Sequence, residues 1–173
     1  MINIKVRQEK TSDYDEVSRL VKMSFATNAD DDGTTHDYLN ELRRKYVFIP
    51  ELSLVAENND GTLIGQIVLY KTIITTENSE LVELLLSPIC VHPDYFKRGV
   101  ARAMVEKALS TASAMGYKAV FLCGNPEIYR KLKFVPSYQC GIYHKADKTA
   151  DWSMVRELYR GALDGITGTI ETI

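Results

Sequence analysis

The sequence contains no run of about 18 or more apolar residues, the length a bilayer-spanning helix needs. Its first stretch, "MINIKVRQEKTSDYDEV", carries charge where a secretory signal requires an apolar core. Together these absences lead us to expect a cytoplasmic protein with no membrane partner. Cysteine is scarce: Cys90, Cys123 and Cys140 are odd in number, widely spaced and set among apolar or mixed neighbours. That pattern argues against a disulfide framework or a CxxC metal site and suits a reducing compartment. His36, His92 and His144 are too scattered for a motif such as HExxH, so no metal is expected, and His92 beside Pro93 reads as a loop residue. Nor does one sign of charge dominate: 21 Lys and Arg against 23 Asp and Glu leave a net charge of −2, with the basic residues spread along the chain. A polyanion binder would gather them into one patch, so nucleic acid is disfavoured as the principal partner.

What remains is ordinary globular composition, 45% hydrophobic and 25% charged over 173 residues, with no repeat, low-complexity tract or linker. A single domain over residues 1–173 is therefore expected. "INIKVRQ" alternates like a strand, and "TSDYDEVSRLVKMSFA" follows as a helix capped by Thr11 or Asp13, with Val17, Leu20, Val21 and Phe25 on its apolar side. A second helix begins near Thr35, with Tyr38, Leu39, Leu42 and Tyr46 on one side. Two β-rich runs flank Asn58 to Gly61, a hairpin composition, and "SELVELLLSPICV" extends the antiparallel sheet. The nearly continuous apolar run "YKAVFLCGN" has the character of a strand buried on both faces, as parallel strands are. Pro126 then opens a short helix in "PEIYRKLKF". The order β, α, α, β, β, β, α, β, α, β, β describes an α/β (α+β) fold, a mixed central sheet flanked by helices.

Leading from the fourth of those strands into the helix before the fifth, "VHPDYFKRGVARAMVEKAL" breaks a strand at a proline and enters a helix through a basic turn. A helix N-terminus offers unpaired amides and a positive dipole end, so it can hold a phosphate. Gly99 allows close backbone approach, Ala101 keeps the next turn small, and Lys97, Arg98 and Arg102 add cationic donors. The same residues also describe a solvated turn that merely enters a helix, and spacing does not choose between the two readings. GxxxxGK followed by Ser or Thr is absent, as is GxGxxG with a downstream acid, which disfavours nucleotide hydrolases and dinucleotide dehydrogenases.

Joined to "GYKAVFLCGNPEIYRKLKFVP", this segment resembles the acyl-CoA-binding core of the GNAT superfamily of N-acetyltransferases. In that family a loop of form Q/R-x-x-G-x-G/A enters the helix and wraps the CoA pyrophosphate. Here the loop would be Phe96, Lys97, Arg98, Gly99, Val100 and Ala101, with Phe96 in place of Gln or Arg. The second block is matched by Asn125, Tyr129 and "YRKLKF", with Lys133 in place of the usual glycine. The resemblance spans most of the first 136 residues, and "YRGALDGITGTIETI" looks most like the bacterial YhbS-type members.

The resemblance implies acetyl-CoA as donor, a primary amine on a small molecule or peptide as acceptor, direct transfer without an acyl-enzyme, and a possible homodimer. An amine with a pKa near 10.4 is deprotonated to only about one part in a few thousand at pH 7, so a base or proton path is required. Family members often carry a strand glutamate two residues before the position of Ser87, but Leu85 stands there. Glu83, on the same strand face, is the candidate base, Glu80 a weaker one, and a solvent-facing role for Glu83 stays open. Tyr129 matches the family's acid for the departing thiolate, and the backbone of Ile89, Cys90 and Val91 is the implied partner of the thioester oxygen. Pro88 agrees with a local strand break, and nothing in the sequence would make Cys90 a nucleophilic thiolate. Asp30, Asp31, Asp32, Tyr138, Tyr143 and Trp152 are the expected acceptor side. An acyl-CoA sensor without turnover, or an interaction protein that never binds CoA, is the alternative.

Overall fold

The computed structural model describes residues 2–26 and 31–172, and Asp30 of the expected acidic loop lies outside them. The elements run β1 (Lys5–Gln8), α1 (Tyr14–Phe25), α2 (Thr35–Leu42), β2 (Phe48–Glu57), β3 (Leu63–Thr76), β4 (Glu80–Val91), α3 (Val100–Ala114), β5 (Ala119–Cys123), α4 (Pro126–Tyr129), β6 (Val135–Pro136), β7 (Ile142–His144), β8 (Ser153–Glu157) and β9 (Gly168–Ile170). Among the described residues the nine strands form one mixed sheet. The chain gathers into two compact units, Met1–Leu69 with Ser87–Thr111, and Tyr70–Leu86 with Ala112–Ile173. Among the described residues no helix is long and apolar enough to cross a membrane.

In the first unit β1 lies antiparallel to β2, from Lys5 opposite Glu57 to Gln8 opposite Leu54. Asp13, expected as a helix cap, instead turns its carboxylate to Arg7, at 2.7 and 3.0 Å, and to the Lys10 amide at 2.7 Å. The Arg7 hydrogen bond holds that carboxyl below the usual range. Val17, Leu20 and Val21 of α1 and Leu39 and Leu42 of α2 are buried, as their helical spacing predicts. Tyr46 is not on that face: α2 ends at Leu42, and the ring is 88% exposed. The turn between β2 and β3 is closed by Asn58, whose Oδ1 accepts the amides of Asp60 and Thr62, each at 3.0 Å.

β3 carries the contact that seats α3. A β-carbon on Gly65 would lie 2.8 Å from Cε and 2.9 Å from Sδ of Met104, and 3.0 Å from Cγ1 of Val100. The helix therefore rests directly on the strand's backbone, and Gly65 serves room rather than a turn.

In the second unit β5 runs parallel to β4, with Leu84 opposite Val120 and Leu85 opposite Phe121, and antiparallel to β8 along its whole length, Ala119 opposite Glu157 to Cys123 opposite Ser153. β6 continues beyond β8, while β9 pairs with both β3 and β7. Phe121, Val155, Ile74, Leu85, Ile142, Leu163 and Ile170 make its core. The expected tail of two strands is in fact four short ones, β6 to β9, too brief to show a period of two in sequence.

Gly65→Val should overpack the α3 contact and cost about 1–3 kcal/mol, whereas Gly65→Ala should cost less because the end of Met104 can swing aside. Urea unfolding of the two variants against the parent measures the difference.

Candidate functional site

Strand β4 ends at Val91, and the chain then turns through a short 3-10 segment, Pro93–Tyr95, before α3. His92 anchors the exit: its amide donates to Ile64 O at 2.8 Å, and its Nδ1 accepts the Asp94 amide at 3.2 Å. Asn58 donates to the Tyr95 hydroxyl at 3.1 Å, and the Arg98 guanidinium lies 5.5 Å from the centre of the Tyr95 ring. The basic turn is thus braced, although Phe96, Lys97, Arg98 and Gly99 are all exposed.

Lys97 and Gly99 both adopt left-handed backbone, at φ 60° and 84°, on either side of Arg98. Gly99 takes that conformation at little cost, whereas a lysine there is strained. Such alternation gathers successive amides into an anion-binding concavity. The first helical bond of α3 is Ala103 N–H to Gly99 O at 3.0 Å, so the Val100 and Ala101 amides precede it and have no intrahelical partner. Val100 is buried and Arg102 is exposed. Just upstream, Ile89 and Val91 are half-buried and Cys90 is buried; burial pushes the Cys90 thiol up to about 12, despite the Ser24 hydroxyl and Gln66 backbone beside it. Such a thiol is inert at neutral pH. The Ser87–Pro88 peptide is cis.

The second unit holds the other expected residues. Glu83 is 4% exposed, not a solvent-facing carboxylate, and its Oε2 accepts the amides of Lys118 at 2.9 Å and Ala119 at 3.2 Å. Burial raises its pKa, outweighing the two amides that favour the charged form. Asn125 caps α4, its Oδ1 accepting the Glu127 amide at 2.9 Å, with Pro126 at the first helical position. Tyr129 packs edge-on to Phe134, ring centres 6.0 Å apart, and burial raises the pKa of its phenol. His144 donates or accepts at Thr172 Oγ1 over 2.9 Å, and that hydroxyl lies 3.0 Å from the Cys123 sulfur. Trp152 stacks edge-on against His144 at 4.6 Å.

A family model described as Acetyltransferase (GNAT) domain matches residues 5–136. The chain belongs to the GNAT acetyltransferase family. It is 27% identical over 166 residues to the uncharacterized N-acetyltransferase YhbS of Escherichia coli strain K12, covering 96% of this chain and 94% of the relative. A crystal structure of the GNAT family N-acetyltransferase YhbS from Escherichia coli in complex with CoA superposes with a TM-score of 0.84 at 23% identity, covering 100% of this chain and 91% of that one. A GNAT family acetyltransferase from Brucella melitensis in complex with acetyl-CoA gives 0.76 at 19% identity, covering 99% and 96%. The family and the mixed-sheet fold read from the sequence are both borne out.

Within this GNAT chain, Lys133 occupies a left-handed position, φ 65°, after the 3-10 turn Arg130–Leu132. That conformation explains why a glycine is usual there: the lysine accepts a strain the glycine avoids. Two supporting residues had no sequence signal. Gly65 faces Met104, far along the chain, and Gly124 faces the ring of Tyr129, five residues on. Among the acceptor-side residues, Asp31 and Asp32 cap local turns, accepting the amides of Gly33 at 3.1 Å and Thr34 at 2.9 Å. Tyr143 lies on β7, and Tyr138 in the 3-10 turn Ser137–Cys140.

Because the folded pKa of Glu83 is raised, the folded state binds more protons than the unfolded chain above the ordinary carboxylate range. The Glu83 contribution to stability is therefore greatest below about pH 4.5 and falls as pH rises through the folded pKa. Glu83→Gln keeps an oxygen for the Lys118 and Ala119 amides and removes the titration. Unfolding free energies at pH 5 and pH 8 should show a smaller decline between the two in Glu83→Gln than in the parent.

Proposed function

We propose that the chain, acting as one domain over residues 1–173, is an acetyl-CoA-dependent N-acetyltransferase that moves an acetyl group directly to a primary amine. The observation that carries this reading is the turn from Lys97 to Ala101: two left-handed residues and the Val100 and Ala101 amides at the mouth of α3, in the segment that resembles the family's pyrophosphate loop. The CoA and acetyl-CoA complexes of two proteins of the same fold support the choice of ligand. Arg98, Lys97 and Arg102 add charge there, and the exposed Phe96 leaves recognition to the backbone.

In the reaction the neutral amine attacks the thioester carbonyl, and charge develops on its oxygen, for which the β4 backbone at Ile89, Cys90 and Val91 supplies the donors. Collapse of the adduct breaks the carbon–sulfur bond. The electron pair leaves with sulfur, and Tyr129 delivers the proton that makes the thiol. Burial raises the pKa of that phenol, so it holds its proton through the neutral range. Asn125 enters through its free amide group, since its Oδ1 caps α4. Glu83, the base expected from its strand face, is buried against the Lys118 and Ala119 amides at the start of β5, the opposite end of that strand from Tyr129, so in this reading the proton of the amine passes to water and not to this carboxylate.

Calorimetric titration with acetyl-CoA tests the cradle: the parent should bind, and Gly99→Glu, which forces a side chain into left-handed backbone and puts a carboxylate against the phosphates, should lose at least about tenfold in affinity. Across a panel of primary amines, Tyr129→Phe should lower turnover by about 100-fold or more with acetyl-CoA affinity little changed. Glu83→Gln, which keeps an oxygen for the Lys118 and Ala119 amides, should leave kcat/KM close to that of the parent. Binding without turnover in the parent would instead make the chain an acyl-CoA sensor.

A further inference from the structure

We propose that Gly124, which follows β5, is a positioning residue for the phenol of Tyr129, keeping open the space that its ring occupies. The inference rests on the catalytic reading of Tyr129 and adds the element that aims its hydroxyl.

Gly124 is not among the residues with left-handed backbone, so its missing side chain serves space and not conformation. A β-carbon there would stand 3.0 Å from Cδ2 and 3.4 Å from Cζ of Tyr129, with Cε2 nearer still. The Cδ2–Cε2 edge of the ring therefore lies against the backbone of residue 124. Neither side can give way by moving the chain. Cys123 is held opposite Ser153 in the β5–β8 pair, and the Gly124 amide donates to Trp152 O at 2.9 Å. Tyr129 is tied by its own amide to Asn125 O at 3.2 Å and through its carbonyl to the Phe134 amide at 3.1 Å. What can move is the side-chain torsion, and the way is partly closed by Phe134, edge-on at 6.0 Å. Any side chain at position 124 must then swing the phenol away by on the order of 1 Å, a displacement that can cost about 100-fold in rate when it falls on a reacting group.

The test uses the full chain with tyrosine labelled at the ring ζ-carbon, the Tyr129 resonance being the one lost in Tyr129→Phe. In Gly124→Ala that resonance should move, and its titration midpoint should drop toward the ordinary tyrosine value near 10, while the other tyrosine signals stay in place. A stationary resonance overturns the inference whatever the kinetics show. Turnover, read as CoA released from acetyl-CoA with the best amine of the panel, should fall by about 10- to 100-fold in Gly124→Ala, with KM for acetyl-CoA within about twofold of the parent. In the Tyr129→Phe background the same glycine change should cost nothing further, because the hydroxyl it positions is gone. Additive losses in that cycle overturn the positioning role and leave Tyr129 in the mechanism. Unchanged turnover in Tyr129→Phe alone overturns the catalytic reading and this inference with it.

Discussion

One carboxylate decides where β5 begins. Parallel strands cannot be registered by a tight turn, since a long connection separates them, so the pairing of β4 with β5 needs another anchor. Glu83 supplies it: its Oε2 accepts two successive amides, Lys118 and Ala119, just ahead of the paired residues Leu84–Val120 and Leu85–Phe121. A hydrogen bond to a charged group is worth about 1.5–3 kcal/mol, while burying a charge costs several. The raised pKa of Glu83 says that burial keeps the upper hand, so the bracket carries a standing cost at neutral pH in exchange for register. With its start fixed and β8 paired along all five residues, β5 can deliver Cys123, Gly124 and the Asn125 cap at a defined place.

The first unit solves a different problem, that of turning a strand into a helix with amides presented outward. His92 ties the strand exit to β3 through Ile64, and Gly65, next in the chain, lets α3 settle against the strand through Val100 and Met104. The helix N-terminus is therefore fixed from below by packing, and from the side by Asn58, Tyr95 and Arg98. Only then does the left-handed pair Lys97 and Gly99 have a constant direction in which to aim the turn's amides.

Elements whose cause is local were legible in the sequence. The Asn58 to Gly61 turn, the apolar side of α1, the Pro126 opening of α4 and the basic turn before α3 each depend on residues within a few positions of one another, and each lies where its composition puts it. What escaped depends on distant partners. Gly65 answers to Met104, Asp13 turns back to Arg7 rather than capping α1, and Glu83 finds amides 35 and 36 residues on. Tyr46 failed for a related reason. Its helical spacing is real, but α2 stops at Leu42, so nothing brings its ring to the buried side. Strands of two or three residues, such as β6, β7 and β9, are held by their neighbours and leave no period to read.

Two of the departures from the family pattern, Phe96 and Lys133, fall at positions where the backbone conformation matters more than the side chain. Lys133 holds the left-handed conformation that a glycine would take, at φ 65°, so the turn after Tyr129 keeps its path at a cost of strain. Phe96 is 51% exposed, and the amides that follow it are oriented by the conformations of Lys97 and Gly99 whatever side chain precedes them. A phosphate cradle made of amides is tolerant of such changes, because replacing a side chain leaves the amide in place. In the proposed mechanism the phenol of Tyr129 is less tolerant, for its placement passes through a torsion and a packing surface. On that reading, side-chain changes around the turn should be borne more easily than any side chain added at Gly124, where the Tyr129 ring takes up the room.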